Sequence, residues 1–290
     1  MSARQNYLQF LVLVGCLSFL CAPGLLAKEP PLLVFAGAAC KPPLEALATS
    51  FEQRTGQRVD VVFGGSGYVL SQMRLAKRGD IYFPGSSDFM EVAKRQGLVW
   101  PETERRVAFL VPAINVRAGN PKGIRGLTDL LNPDIRVAIA NPEHVCVGTY
   151  AVEILEANLS PQDRVRFRKN LVNYTESCEK TASAVSMKAV DAVLGWGVFA
   201  HWDPARIQTI PLPAGQIQRV GYIPLAISTF SKQRDHAQRF LDFVLSPEGK
   251  AAFARYHYFG TPEEAFAWIG QRKPVGGEYV LPRIWIDGSR

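Results

Sequence analysis

Strand-like and helix-like segments alternate along most of this chain, and that alternation constrains its fold more than any other feature. Leu32 to Ala36 is a short, wholly apolar run of the kind buried on both faces of a parallel sheet. Pro43 to Arg54 carries apolar residues at helical spacing, and Arg58 to Phe63 reads as the next strand. A helix over Tyr68 to Lys77, a short strand Asp80 to Phe83 and a helix Asp88 to Gly97 continue the series. Beyond Pro121-Lys122-Gly123 come a helix around Leu127 to Leu131, a strand Arg136 to Ala140, a helix Tyr150 to Asn158 and a strand Ala192 to Gly195. Gly221 to Thr229 reads as a strand carrying a proline, and His236 to Leu245 and Glu248 to His257 as closing helices. The order predicts an α/β fold with helices linking the strands of a central sheet.

The N-terminus constrains where such a fold would work. Met1 to Gln9 holds one charge, Arg4, and Phe10 to Leu20 is almost wholly apolar, a run too short for a bilayer span of about 20 residues. This pattern predicts a secretory signal over residues 1–27, cleaved after Ala27. A second reading takes Leu13-Val14-Gly15-Cys16 as a lipobox, with the product anchored through Cys16, although Leu17, Phe19 and Leu20 stay apolar beyond it. Removing Arg4 takes the formal net charge from +7 to +6, and Lys and Arg are spread along the chain. A solubilising surface therefore explains the charge better than nucleic-acid binding does. At 47% hydrophobic residues the remainder can bury a substantial core, and no later segment is long and apolar enough to span a membrane as a helix.

Three strand-to-helix junctions are rich in small residues: Gly37-Ala38-Ala39-Cys40, Gly64-Gly65-Ser66-Gly67, and the stretch from Asn141-Pro142 to Val147-Gly148-Thr149. In an open parallel sheet, ligands sit outside the carboxyl ends of the strands, where helix N-termini offer free N–H groups to an anion. Small residues let the backbone approach a bound ion, and neutral amides hold it by charge-assisted hydrogen bonds. Taken singly, each glycine is explained by a turn. Recurrence at three junctions, in both halves of the chain, points instead to an anion site.

The string Val34-Phe35-Ala36-Gly37-Ala38-Ala39 is followed by Phe51-Glu52, Thr55-Gly56, Phe63-Gly64-Gly65-Ser66-Gly67 and Gly79-Asp80-Ile81-Tyr82. Asn141-Pro142, Val147-Gly148-Thr149-Tyr150-Ala151 and Asp191-Ala192 then complete a series that resembles the molybdate/tungstate-binding proteins of ABC importers, from about Leu32 to Glu264. The resemblance implies a type II-like periplasmic-binding-protein fold: two α/β lobes with central sheets, joined by a hinge and closing on a dehydrated tetrahedral oxyanion. It implies no cofactor and no metal ion supplied by the protein. It also implies a membrane permease as partner, a monomer, and a periplasmic location. By motif, the serine of the family's first loop falls at Ala39, beside Cys40. The second-loop serine is Ser66, preceded by Gly65. The amide donor of the Asn-Pro loop falls at Cys146-Val147, the late-loop valine near Cys178, and a family tyrosine at Trp196. Ala39 lacks the family's hydroxyl, and Trp196 donates only through its indole N–H.

The lobes implied are residues 32–112 with 222–290, and residues 113–221, with the hinge at Val111-Pro112 and Gly221-Tyr222. The tail beyond Glu264 is expected on the first lobe. With Cys16 and Cys21 removed alongside the signal, Cys40, Cys146 and Cys178 remain. One reading pairs Cys146 with Cys178 in a disulfide that leaves Cys40 buried. The other gathers all three thiols around a soft species such as arsenite or a copper or zinc ion. The histidines, His144, His201, His236 and His257, are scattered and match no zinc spacing. An enzyme is the weaker class: Gly64-Gly65-Ser66-Gly67 lacks the spacing of a nucleophile elbow, and Asp80, Glu143 and Asp191 have no histidine in a partner position. A ligand sensor would share the same pocket.

Overall fold

The computed structural model describes residues 30–286. The signal segment and the Cys16 lipobox lie outside the described residues. In chain order the elements begin with β1 (Leu32–Gly37), α1 (Lys41–Thr55), β2 (Val59–Gly64), α2 (Ser66–Ala76), β3 (Ile81–Phe83), α3 (Ser87–Arg95), β4 (Arg105–Leu110) and β5 (Pro112–Arg117). They continue with β6 (Val137–Ala140), α4 (Cys146–Asn158), α5 (Pro161–Asn170), β7 (Leu171–Thr175), α6 (Cys178–Ser186), β8 (Ala192–Trp196), α7 (Phe199–Trp202) and β9 (Ile207–Ile210). The last are β10 (Gly221–Ile227), α8 (Arg234–Leu245), α9 (Pro247–Arg255) and α10 (Pro262–Ile269). No helix among the described residues is long and apolar enough to cross a membrane.

Two five-stranded sheets form the centres of two α/β lobes, in the orders β2-β1-β3-β10-β4 and β7-β6-β8-β5-β9. In each, three parallel strands are followed by an antiparallel one, β10 in the first and β5 in the second. The chain passes from the first sheet to the second at Val111 and returns between Ile210 and Gly221. Parallel pairing requires helical crossovers, so the carboxyl ends of β1, β2 and β3 all open toward the starts of α1, α2 and α3. The same holds for β6 with α4 and β7 with α6.

At the opposite ends of the strands, Asp80 accepts the backbone N–H of Leu33 at 2.8 Å and the Ser231 hydroxyl at 2.7 Å. Asp191 repeats the arrangement in the second lobe, accepting the backbone N–H of Arg136 at 3.0 Å. These aspartates pin strand starts, and neither reaches the helix-forming ends where the sequence places an anion.

Several elements differ from the sequence reading. Cys146 and Val147 belong to the first turn of α4, and Ser66 opens α2, so both helices begin nearer the junction than periodicity suggests. Glycine and small residues in these first turns carry no helical signature of their own, and tertiary packing decides the boundary. The helix at residues 127–131 is a 3-10 helix rather than an α-helix. The β4 and β5 strands abut across Val111, where Pro112 masks the second strand, and α5, β7, α6, β9 and α10 also lack clear sequence patterns. The tail does not keep to the first lobe. Tyr279 N–H donates to Asp88 in α3, whereas Trp285 donates to Glu156 in α4 and its ring lies 6.4 Å from that of Phe167 in α5.

Candidate functional site

The small-residue junctions meet where the two lobes touch. Ser66, 1% exposed, accepts the backbone N–H of Gly85 at 3.0 Å through its hydroxyl oxygen. A Cβ placed on Gly37 would lie 2.6 Å from that same oxygen. One on Gly85 would lie 2.6 Å from Ala39 Cβ and 2.5 Å from Cys146 Sγ, so the first-lobe loops pack directly onto the start of α4. Gly67 N–H donates to the His144 carbonyl at 2.8 Å, joining α2 to the loop before α4. Lys41 reaches Glu179 at 2.7 Å, and the rings of Tyr68 and His144 pack at a tilt with centroids 4.4 Å apart. His144 is thus half-buried against the other lobe rather than turned to solvent.

Helix N-termini supply most of the polar character here. None of α1, α2, α3 or α4 has a side-chain cap, whereas Ser177 caps α6 by accepting the Lys180 N–H. Uncapped first-turn N–H groups have a partial positive charge behind them, although Pro42 and Pro43 leave α1 without two such donors and the His144 carbonyl occupies the Gly67 N–H of α2. Ser86, before α3, is fully buried, and its hydroxyl has no partner among the described residues. The same is true of the Tyr150 hydroxyl on α4. Trp196, at the end of β8 and 0% exposed, packs edge-on against Tyr150 with ring centroids 4.8 Å apart. Its indole N–H has no conventional partner and faces the Cys178 sulfur. Burial raises the phenols of Tyr82, Tyr150 and Tyr258 well above their ordinary range, so all three stay neutral. The hydroxyls of Tyr82 and Tyr258 donate to the carbonyls of Ser66 and Ala39, which fixes both loops.

The cysteines resolve differently from either sequence reading. Cys40, Cys146 and Cys178 are all buried free thiols. Cys146 and Cys178 lie with their sulfurs 3.4 Å apart and unbonded. Cys40 Sγ turns away to donate to the Gly37 carbonyl at 3.2 Å. Among the described residues no group of three or more His, Cys, Asp and Glu is placed to hold a metal ion, so the three-thiol pocket does not form. Burial raises the Cys40 and Cys178 thiols, which keeps them protonated.

Ala39, Cys40, Gly65, Ser66, Cys146, Val147, Cys178 and Trp196 therefore all lie at or beside one junction. Gly85 and Ser86 are additions the sequence reading missed. Their signal was present: Pro84-Gly85-Ser86-Ser87 is a fourth small-residue turn after a strand. Tyr150 was visible only as part of a helix.

A second cluster sits between the lobes on the far side of Tyr150 from Trp196. Arg219, 5% exposed, binds Asp88 of α3 at 2.8 Å and Glu153 of α4 at 2.7 Å, and its guanidinium lies 4.0 Å from the Tyr150 ring centroid. Burial alone would lower the Arg219 pKa, but Tyr150, Asp88 and Glu153 together raise it.

Residues 32–259 match the bacterial extracellular solute-binding protein family. The chain belongs to that family. A Haemophilus influenzae protein whose name assigns binding without a ligand is 28% identical over 77% of this chain and 88% of its own length. The molybdate-binding protein ModA of Escherichia coli is 26% identical over 84% of this chain and 95% of its own. The sulfate-binding protein SubI of Mycobacterium tuberculosis shares the fold, with a TM-score of 0.70 at 19% identity, covering 85% of this chain and 93% of that one. Two α/β lobes are the architecture it shares with SubI.

Proposed function

We propose that this solute-binding protein captures a small oxyanion of the molybdate or sulfate class between its lobes. The observation that carries the reading is the meeting of uncapped helix N-termini from both lobes at one buried junction, with the Ser66 hydroxyl among them. Backbone N–H groups and a hydroxyl hold an anion without a countercharge, each charge-assisted bond contributing about 1.5–3 kcal/mol. Similarity to ModA and to SubI, which are named for molybdate and sulfate, supports the same class. The ligand contacts proposed are Ala39, Cys40, Gly65, Ser66, Cys146, Val147, Cys178 and Trp196. A hinge at Val111 and Gly221 lets the lobes part, and a ligand touching both biases them toward closure. Secretion through residues 1–27 and function as a monomer complete the proposal.

Calorimetry with molybdate, tungstate, sulfate and phosphate tests it. Saturable binding of at least one is expected, weakened about tenfold or more by Ser66→Ala. Absence of heat with all four would sink the oxyanion reading.

A further inference from the structure

Two adjacent thiols and an indole donor lie at the junction, where an oxyanion held by amides and hydroxyls makes no use of the thiols' affinity for a soft ligand. Cys146 opens α4 and Cys178 opens α6, each 1% exposed, with sulfurs 3.4 Å apart. Trp196 aims its otherwise unpartnered N–H at Cys178, and the Val147 backbone N–H faces the same sulfur. Buried cysteine often serves as a small hydrophobe. That role explains neither the side-by-side placement at the lobe junction nor the buried donor beside it.

The spacing selects among thiol-seeking ligands. A disulfide needs sulfurs about 2.05 Å apart. A cation held linearly between two sulfurs needs them roughly twice a metal–sulfur bond of about 2.3 Å apart. A pyramidal centre with bonds of similar length near right angles needs about 3.3 Å, close to the separation present here. Resting on the same junction being the ligand site, we propose that Cys146 and Cys178 capture a trivalent oxyacid of the arsenous acid class, As(OH)3, as a cyclic dithiol adduct. Two As–O bonds break and two As–S bonds form. Each thiol hydrogen leaves with one hydroxyl as water, and the third hydroxyl stays on arsenic. Arsenic remains trivalent, so neither oxidant nor reductant is required. Both reactants are neutral and so is the product, which suits a junction with little solvent. Trp196 N–H is placed beside the adduct to donate to the remaining hydroxyl.

The test is calorimetry of the purified protein, reduced beforehand with a phosphine, against sodium arsenite. One-to-one binding is expected, weakened about 10²- to 10⁴-fold in Cys146→Ser and in Cys178→Ser, because losing one sulfur removes the chelate advantage. No arsenite binding, or binding that survives loss of both thiols in turn, overturns the proposal. Copper(I) binding at the same two thiols more tightly than arsenite also overturns it. Molybdate and sulfate titrated into the same samples separate the two readings: their binding without arsenite's defeats only the thiol site, and arsenite's without theirs defeats only the oxyanion site.

Discussion

Gly65 is the residue at which lobe closure can be probed with a single methyl group. Its φ of −63° is ordinary for any residue, so alanine there meets no backbone strain. The added Cβ would instead lie 2.8 Å from the carbonyl oxygens of His144 and Glu176, both backbone atoms of the second lobe, and 2.9 Å from the Tyr68 ring of its own lobe, a side chain that can swing aside where a backbone carbonyl cannot. Only closure brings those atoms near. Overpacking of this kind costs about 1–3 kcal/mol. Gly65→Ala is therefore expected to lower ligand affinity about 5- to 150-fold while changing the thermal midpoint of the ligand-free protein little. Parallel calorimetry and melting curves check both halves of that expectation.

At the scale of elements, buried charge holds helices and strands in register. Arg219 ties α3 to α4 through Asp88 and Glu153, and it donates to the Gly277 carbonyl of the tail at 2.8 Å. Removing one partner of a buried pair costs about 3–5 kcal/mol because the other charge is left uncompensated. Arg219→Ala should lose stability of that order by urea denaturation, most of it recovered when Asp88 and Glu153 are neutralised as well. Asp191, whose side chain is 3% exposed, does the corresponding work for β6 and β8. Burial would raise its pKa, but hydrogen bonds from the Arg136 backbone and guanidinium hold it below the ordinary value. A depressed carboxylate stabilises the fold above its unfolded pKa of about 3.9, and the contribution is lost as pH falls through the lower folded value. Asp191→Asn should accordingly flatten the acid limb of stability below about pH 4 and lower the plateau above it, as urea midpoints across pH would register.

For the whole molecule, closure is a balance of weak contacts across the junction. Lys41 and Glu179 form an ion pair between lobes in which both side chains retain solvent exposure, so it contributes at most about 1 kcal/mol. Lys41→Glu turns that attraction into repulsion. A drop in ligand affinity of no more than about fivefold is expected, shrinking as salt is raised to 1 M, where screening is nearly complete. Small-angle scattering with and without ligand should register the shift of the same variant toward a more open form. An affinity loss insensitive to salt would count against a purely electrostatic role for the pair.

The sequence by itself determined the α/β class, strands at Leu32 to Ala36, Arg58 to Phe63 and Arg136 to Ala140, which agree with the observed ones to within a residue at each end, and the small-residue turns that follow them. These features are local: an apolar run bounded by glycine specifies its own strand and turn whatever packs on it. The family resemblance points to Ser66, Cys146, Cys178 and Trp196, which the fold brings to one junction. Only the tertiary structure decided that Gly85 and Ser86 join them, that Cys40 turns to Gly37 while Cys146 and Cys178 sit side by side, and that the tail spans both lobes. Each of those outcomes depends on which residues distant in sequence share a boundary. A thiol's neighbours are set by the angle between helix starts, and no spacing along the chain encodes that angle.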